Sequence, residues 1–212
     1  MQPIFISGIG TGIGKTIVSA IVAEALEADY WKPVQAGFDK GTDALLVDHL
    51  ISNSSTVIHP EVYKLKLAAS PHIAAKEEKK TIDLDDIINQ YRQLETGNRQ
   101  LVIEGAGGLL VPLNESEFVI DLIKKLNARI MLVSRNYLGS INHSLLTASV
   151  CKQRQIEVAG WIFNDQYMQY EEEIVQWSGY KKLGSVSFTP LIDKGFIKHE
   201  AEKMRATLVS AL

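Results

Sequence analysis

The chain has 212 residues, a single cysteine, and 25 acidic residues against 22 lysines and arginines, for a net charge of −3. That length suits one large α/β domain, and the faintly acidic balance offers no general attraction for nucleic acid or an anionic membrane surface. Cys151 alone makes neither an internal disulfide nor a multi-cysteine metal site, no lysine-flanked apolar leader precedes the first motif, and apolar runs such as 129–134 fall well short of the ~20 residues of a membrane-spanning helix, so the expected setting is the cytoplasm with small molecules or protein as partners.

Short apolar runs alternate with amphipathic stretches, the pattern of a parallel sheet with crossover helices. A first strand over Pro3–Ser7 leads into Ser7-Gly-Ile-Gly-Thr-Gly-Ile-Gly-Lys-Thr16 and a helix over Lys15–Leu26. Glycines at 8, 10, 12 and 14 let the backbone curl so that successive N–H groups point inward, and the helix adds its positive N-terminal end. Such a cup holds polyphosphate. Lys15 would reach the β- and γ-phosphates while the Thr16 hydroxyl would sit on a magnesium ion. Compared with G-x-x-x-x-G-K-S/T the loop is one residue longer, since Ile9 stands five before Gly14 and the nearest upstream glycine is Gly8. A glycine-rich turn also serves structural or dinucleotide-binding roles, but the terminal Gly-Lys-Thr favours a nucleoside triphosphate.

A second strand over Tyr30–Val34 carries Trp31-Lys-Pro-Val-Gln-Ala-Gly37 and puts Lys32 at a carboxyl end, where ligands bind in this architecture. Taken alone, a lysine before a proline is equally an exposed strand end. The helix Thr42–Ile51 opens with Asp43, either a site carboxylate or an acid favoured by the helix dipole. Ser52–Lys80, with Pro60, Pro71 and the charge run 76–80, reads as an excursion from the sheet that finishes in a solvated helix end, and Leu84–Leu94 as a helix. The strand Leu101–Glu104 closes on a carboxylate followed by Gly-Ala-Gly-Gly108, which is costly without a cationic partner. Asp43 and Glu104 near a P-loop threonine make a hard-oxygen magnesium site.

Helices follow at Phe118–Leu126, Ile141–Arg154, Glu171–Trp177 and His199–Leu212, alternating with strands at Arg129–Ser134, Val158–Phe163 and Leu183–Val186. No Gly/Ser/Pro-rich linker divides the chain, so residues 1–212 are expected to form one domain: a three-layer α/β sandwich, a mostly parallel sheet flanked by helices, with the P-loop NTPase fold. Cys151 and Trp161 are expected in the core. The five histidines have no metal-ligand spacing, and His72 and His143 are read either as lining the site or as structural.

The P-loop, Lys-Pro-Val at 32–34, Asp43-Ala44, Ser70-Pro-His72, Glu104-Gly-Ala-Gly-Gly108, Gly139-x-Ile-Asn-His143 with Leu146-Thr147, and Gly160-Trp161 with Asn164-Asp165 form an ordered set that resembles the dethiobiotin synthetases. The resemblance implies ATP-dependent closure of a cyclic urea, in which 7,8-diaminononanoate (7,8-diaminopelargonate) and carbon dioxide give dethiobiotin, ADP and phosphate in biotin biosynthesis. An amine captures carbon dioxide as a carbamate, the carbamate oxygen attacks the γ-phosphate, and the second amine displaces phosphate from the mixed anhydride. Lys15, Lys32 and magnesium would supply the positive charge such a reaction needs.

By the same resemblance, ATP would be held by Thr11, Gly12, Ile13, Gly14, Lys15, Thr16 and Ile17, by Asp43, and by Glu104, Gly105, Ala106 and Gly107. Asn164 would read adenine, since an amide both donates and accepts; the competing reading is a turn-forming Asn-Asp pair. Magnesium would rest on Thr16, Asp43 and Glu104. Gln35 and Ala36 would touch the diamine, and Gly139, Ser140, Ile141 and Asn142, at the start of a helix whose free N–H groups suit a carboxylate, would reach across a homodimer to the substrate tail. Several positions depart from the family pattern: Gly10 and Gly12 replace commonly acidic residues, Ala36 replaces a hydroxyl residue, and Gly184-Ser-Val-Ser-Phe188 lacks an expected proline. Two other readings compete. A ParA/MinD-like ATPase switch would carry an extra lysine early in its P-loop, which Gly8-Ile-Gly-Thr11 lacks. A cobyrinate-type amidoligase would need an ammonia source, and Cys151 falls inside a predicted helix rather than at a nucleophile turn.

Overall fold

The computed structural model describes every residue except 40, 95, 166 and 167. Its first strand, β1 (Ile4–Gly8), is buried along its whole length and pairs in parallel with β6 (Leu101–Gly108) on one side and β7 (Arg129–Arg135) on the other. Outward from β6 lie β2 (Asp29–Trp31) and β4 (Ile58–His59), and outward from β7 lie β8 (Val158–Asn164) and β9 (Lys182–Val186), so the seven strands run β4-β2-β6-β1-β7-β8-β9, all in parallel. A strand covered on both faces needs apolar residues at consecutive positions, and Ile4, Phe5 and Ile6 supply them.

Alternate side chains feed two cores. Ile4, Ile6, Val102 and Val133 pack with α1 (Lys15–Leu26), α2 (Asp43–Leu50) and α8 (Lys194–Ser210). Phe5, Ile103, Leu132 and Phe163 face α4 (Leu84–Gln93), α5 (Val119–Lys125), α6 (Ser140–Gln153) and α7 (Glu171–Ser178). Helices on both faces of a parallel sheet give the expected three layers, and Cys151 and Trp161 lie in the second core.

Four expectations change, one being that β6 does not close at Glu104 as expected but runs on to Gly108. The strand expected over Tyr30–Val34 is broken: β2 stops at Trp31, and β3 (Val34–Ala36) leaves the main sheet to pair with β5 (Tyr63–Leu65). Pro33, lacking an N–H, sits at the break, and its carbonyl accepts from Val62 and Tyr63. The excursion over Ser52–Lys80 is only partly outside the sheet, since β4 forms its edge; α3 (Pro71–Glu77) then ends in the charged run as expected. The last helix starts at Lys194 rather than His199, because the Asp193 carboxylate accepts from Phe196 N–H and caps it there.

The short edge strand β4 is held by a buried ion cluster. Asp29 accepts from Arg99 Nε at 2.7 Å and Nη2 at 3.1 Å, accepts from the Val57 N–H at 3.1 Å, and lies 3.2 Å from His59 Nε2. Burial alone would raise its pKa; Arg99, the Val57 N–H and His59 outweigh burial and hold it below the ordinary 3.8. Asp29→Asn is therefore expected to lower the unfolding free energy by about 2 kcal/mol in urea titrations. A depressed folded pKa contributes stability that is complete above the ordinary value and lost as pH falls through the folded one, so the gap between the two proteins should close in that acid range.

Candidate functional site

The site lies at the carboxyl ends of β1, β2 and β6. Between Gly8 and Lys15 the chain turns through residues in left-handed backbone conformation, Gly12 at φ 70° and Gly14 at φ 91°, where a side chain would be strained. Ile9 N–H donates to Val133 O at 3.1 Å, Lys15 Nζ to Gly10 O at 2.8 Å, and Asn164 Nδ2 to Ile13 O at 3.1 Å. Crowding explains two glycines. A methyl group at Gly14 would stand 2.0 Å from Asn164 Nδ2, and one at Gly108 would stand 3.1 Å from Gly8 O, so β6 can run past Glu104 to Gly108 alongside the loop.

Across from the loop, Glu104 is 1% exposed and fully engaged. Its Oε1 accepts from Thr16 Oγ1 at 2.9 Å and from Lys32 Nζ at 2.8 Å, and its Oε2 accepts from Tyr30 OH at 2.8 Å. Lys32 also donates to Asp43, and the Asp43 N–H donates to Gln35 Oε1 at 3.2 Å. Burial works against the Lys32 charge, but Glu104 and Asp43 more than compensate and hold its pKa above the usual lysine value. For Lys15 burial wins over the pull of Glu104, and the pKa falls to about 8. Burial, reinforced by Glu104, keeps the Tyr30 phenol protonated and therefore a donor.

These groups open onto a cavity of about 730 Å³. Of the residues the sequence singles out, Thr11, Gly12, Gly14, Lys15, Thr16, Ile17, Lys32, Gln35, Ala36, Asp43, Glu104, Ala106 and Gly107 line it, and Val34, Leu46 and Val111 give it an apolar side. Ile13 turns into the core beneath the loop, and the Gly105 Cα faces Phe5, so these two can offer only backbone. Asn164 sits under Gly14 with its amide on the loop rather than open to the cavity. Residues 139–142 are not part of this lining: Gly139 (φ 102°) caps α6, Ser140 Oγ is 2.7 Å from Tyr170 OH, Ile141 packs on the core and Asn142 is exposed. His72 and His143 bond to Ser70 and Tyr137 and also lie off the lining.

Sequence reading missed Tyr30, which bonds Glu104, and Ala68 and Ala69 of the lining, and gave Ser70 and Pro71 no site role. Only the neighbouring Lys-Pro-Val and Ser-Pro-His motifs hinted at these. A hydroxyl and two carboxylates suit magnesium. Among the described residues no group of three or more His, Cys, Asp or Glu side chains could hold a metal by itself. No described helix is long and apolar enough to cross a membrane.

A parallel sheet with helices on both faces and a Gly-Lys-Thr loop at its centre defines a P-loop nucleotide-binding protein. Solved structures agree: the MinC:MinD cell division complex of Aquifex aeolicus aligns with TM-score 0.64 over 100% of this chain and 94% of that one, and a ParA family ATPase of Chlorobium tepidum with 0.56 over 99% and 96%; at 14% identity in both cases, the likeness is one of fold alone. The AAA domain family matches residues 2–195. The ATP-dependent dethiobiotin synthetase BioD of Cytophaga hutchinsonii is 47% identical over 96% of this chain and 97% of its own length, and that of Christiangramia forsetii 45% over 96% of each. The chain belongs to the ATP-dependent dethiobiotin synthetase family.

Gly14→Ala tests the loop geometry. A left-handed alanine costs ~1–2 kcal/mol and its methyl must also displace Asn164, so ATP affinity measured by calorimetry should fall about tenfold or more with the far-UV circular dichroism unchanged.

Proposed function

We propose that the chain makes dethiobiotin from 7,8-diaminononanoate, carbon dioxide and ATP, acting as one catalytic domain in the cytoplasm and as a homodimer. The observation that carries this reading is the pair Lys15 and Lys32, brought with Thr16, Asp43 and Glu104 to a cavity that Val34, Leu46 and Val111 also line. The charged groups suit a triphosphate and a carbamate; the apolar lining suits an alkyl chain.

An amine nitrogen of the substrate adds to carbon dioxide and loses a proton, giving the carbamate. A carbamate oxygen attacks the γ-phosphorus, the bond to the bridging oxygen breaks, and ADP leaves with the electron pair. The second amine then attacks the carbamoyl carbon, releasing phosphate and a proton as the ring closes. Bringing two anions together is the obstacle, and Lys32 stands where its fixed charge reduces it. Lys15, now bonded to Gly10 O, would exchange that carbonyl for the phosphates, whose charge would restore its own. Thr16, Asp43 and Glu104 would hold magnesium, which supplies further charge neutralisation on the phosphates when bound. Neither lysine need act as a base.

ATP turnover should require both the diamine and bicarbonate, compared with ATP alone. Lys32→Ala should lower that turnover by about 100-fold or more while leaving ATP binding within a few-fold, whereas Lys15→Ala should damage both. Near-wild-type turnover by Lys32→Ala would remove it from the reaction.

The dimer accounts for residues 139–142. In one chain they lie off the cavity, yet α6 opens there with the Ile141 and Asn142 N–H groups suited to a carboxylate, the Ser140 N–H already donating to Tyr137 O, and the neighbouring Leu138, Leu146 and Leu110 are exposed at 87%, 57% and 51%. A carboxylate tail leaving one chain's cavity would meet this helix start from a second copy. Mixing inactive Lys32→Ala with inactive Asn142→Asp should then restore about a quarter of wild-type activity, since half of randomly exchanged dimers carry one intact site each. No recovery despite demonstrated exchange excludes a shared site.

A further inference from the structure

The buried phenol of Tyr30 makes a contact that the proposed reaction does not use. Tyr30 pairs with Val102 in the β2–β6 register, so its side chain lies on the same sheet face as Val102 and, two residues on, Glu104. That places the fully buried OH 2.8 Å from Glu104 Oε2. The other carboxylate oxygen, Oε1, faces the site, taking hydrogen bonds from Thr16 and Lys32. The two oxygens thus have separate duties, one anchored in the core and one presented to the loop.

We propose that Tyr30 is the positioning residue of Glu104: its hydroxyl fixes Oε2 so that Oε1 stays turned toward Thr16, where the metal and phosphates are read. This rests on the assignment of Glu104 as a magnesium ligand. The sheet alone does not demand the hydroxyl. Tyr30 packs with Ile6, Val102 and the inner face of α1, surroundings that a phenylalanine ring would fill equally well. Without the hydroxyl, Oε2 is a buried acceptor with no donor, and the carboxylate is free to rotate toward Lys32, which then competes with the ion for both oxygens. Groups that orient a metal ligand without touching the metal typically change affinity by about 10–100-fold.

Tyr30→Phe, Glu104→Gln and the double variant should be compared in two titrations. One is the magnesium dependence of turnover; the other is the magnesium dependence of binding a non-hydrolysable ATP analogue, read by calorimetry without catalysis. Tyr30→Phe is expected to raise the magnesium needed for half-saturation on the order of tenfold in both, with the KM for the diamine unchanged. In the Glu104→Gln background the same change should add little, because the oxygen it serves is gone. If Glu104→Gln shifts the titrations and Tyr30→Phe does not, the positioning role is overturned while the ligand assignment stands. A Tyr30 effect equally large in both backgrounds overturns it too, as does a loss of stability in urea with unchanged titrations. If Glu104→Gln itself leaves both titrations unchanged, the ligand assignment falls and the proposal with it.

Discussion

A carboxylate buried midway along a central strand constrains the whole arrangement. Glu104 needs donors there, because a buried charge left unpaired costs several kcal/mol. Its donors come from three places: Tyr30 from the neighbouring strand, Lys32 from the break just after it, and Thr16 from the first turn of α1. Each fixes the position of an element relative to β6. The dependence is mutual, because Lys32 is itself buried and Glu104 and Asp43 hold its pKa above the usual lysine value against that burial. The groups suited to bind phosphate are therefore also the groups that tie β2, α1 and α2 to the sheet.

That mutual dependence shapes the resting charge of the site. Lys32 lies between two carboxylates, and Lys15, pushed toward neutrality by burial, rests on a backbone carbonyl. A triphosphate entering this arrangement gives Lys15 a far better partner, while a cation beside Thr16 would take over part of what Lys32 now does for the carboxylates. Lys32 would then turn its charge to the acceptor. The geometry suits a site whose cations are redistributed by the ligand rather than assembled by it.

The parts of this that could be read from the sequence are those written in consecutive residues. The Gly-Lys-Thr loop between a strand and a helix is local, and so is a glutamate closing Leu-Val-Ile before four small residues. Tyr30 escaped notice because its role depends on the register of β2 against β6, and a tyrosine in an apolar run looks like core whichever residue its hydroxyl meets. The break at Pro33 followed the known effect of proline, but where the chain went afterwards depended on pairing with Tyr63–Leu65, a strand too short to show a period. The two residues of β4, Ile58 and His59, carry still less signal and are held through Asp29 and Arg99, which are far apart in the chain. The start of α8 at Lys194 was written in Asp193, a capping signal outweighed by the weak periodicity that follows.

Asn164 shows how a residue that suits one role in the sequence can be committed to another in the fold. Its position after an apolar strand suits a base-reading amide, yet the amide nitrogen is bonded to Ile13 O and stands where a Gly14 side chain would be. With the amide committed to the loop and the residue off the cavity lining, what the structure supports for Asn164 is a loop-bracing role. The turn reading has support in the same place, since Asp165 adopts φ 74° directly after it. The turn ends β8 and aims the Asn164 amide back beneath Gly14, and the missing side chain at Gly14 makes room for it.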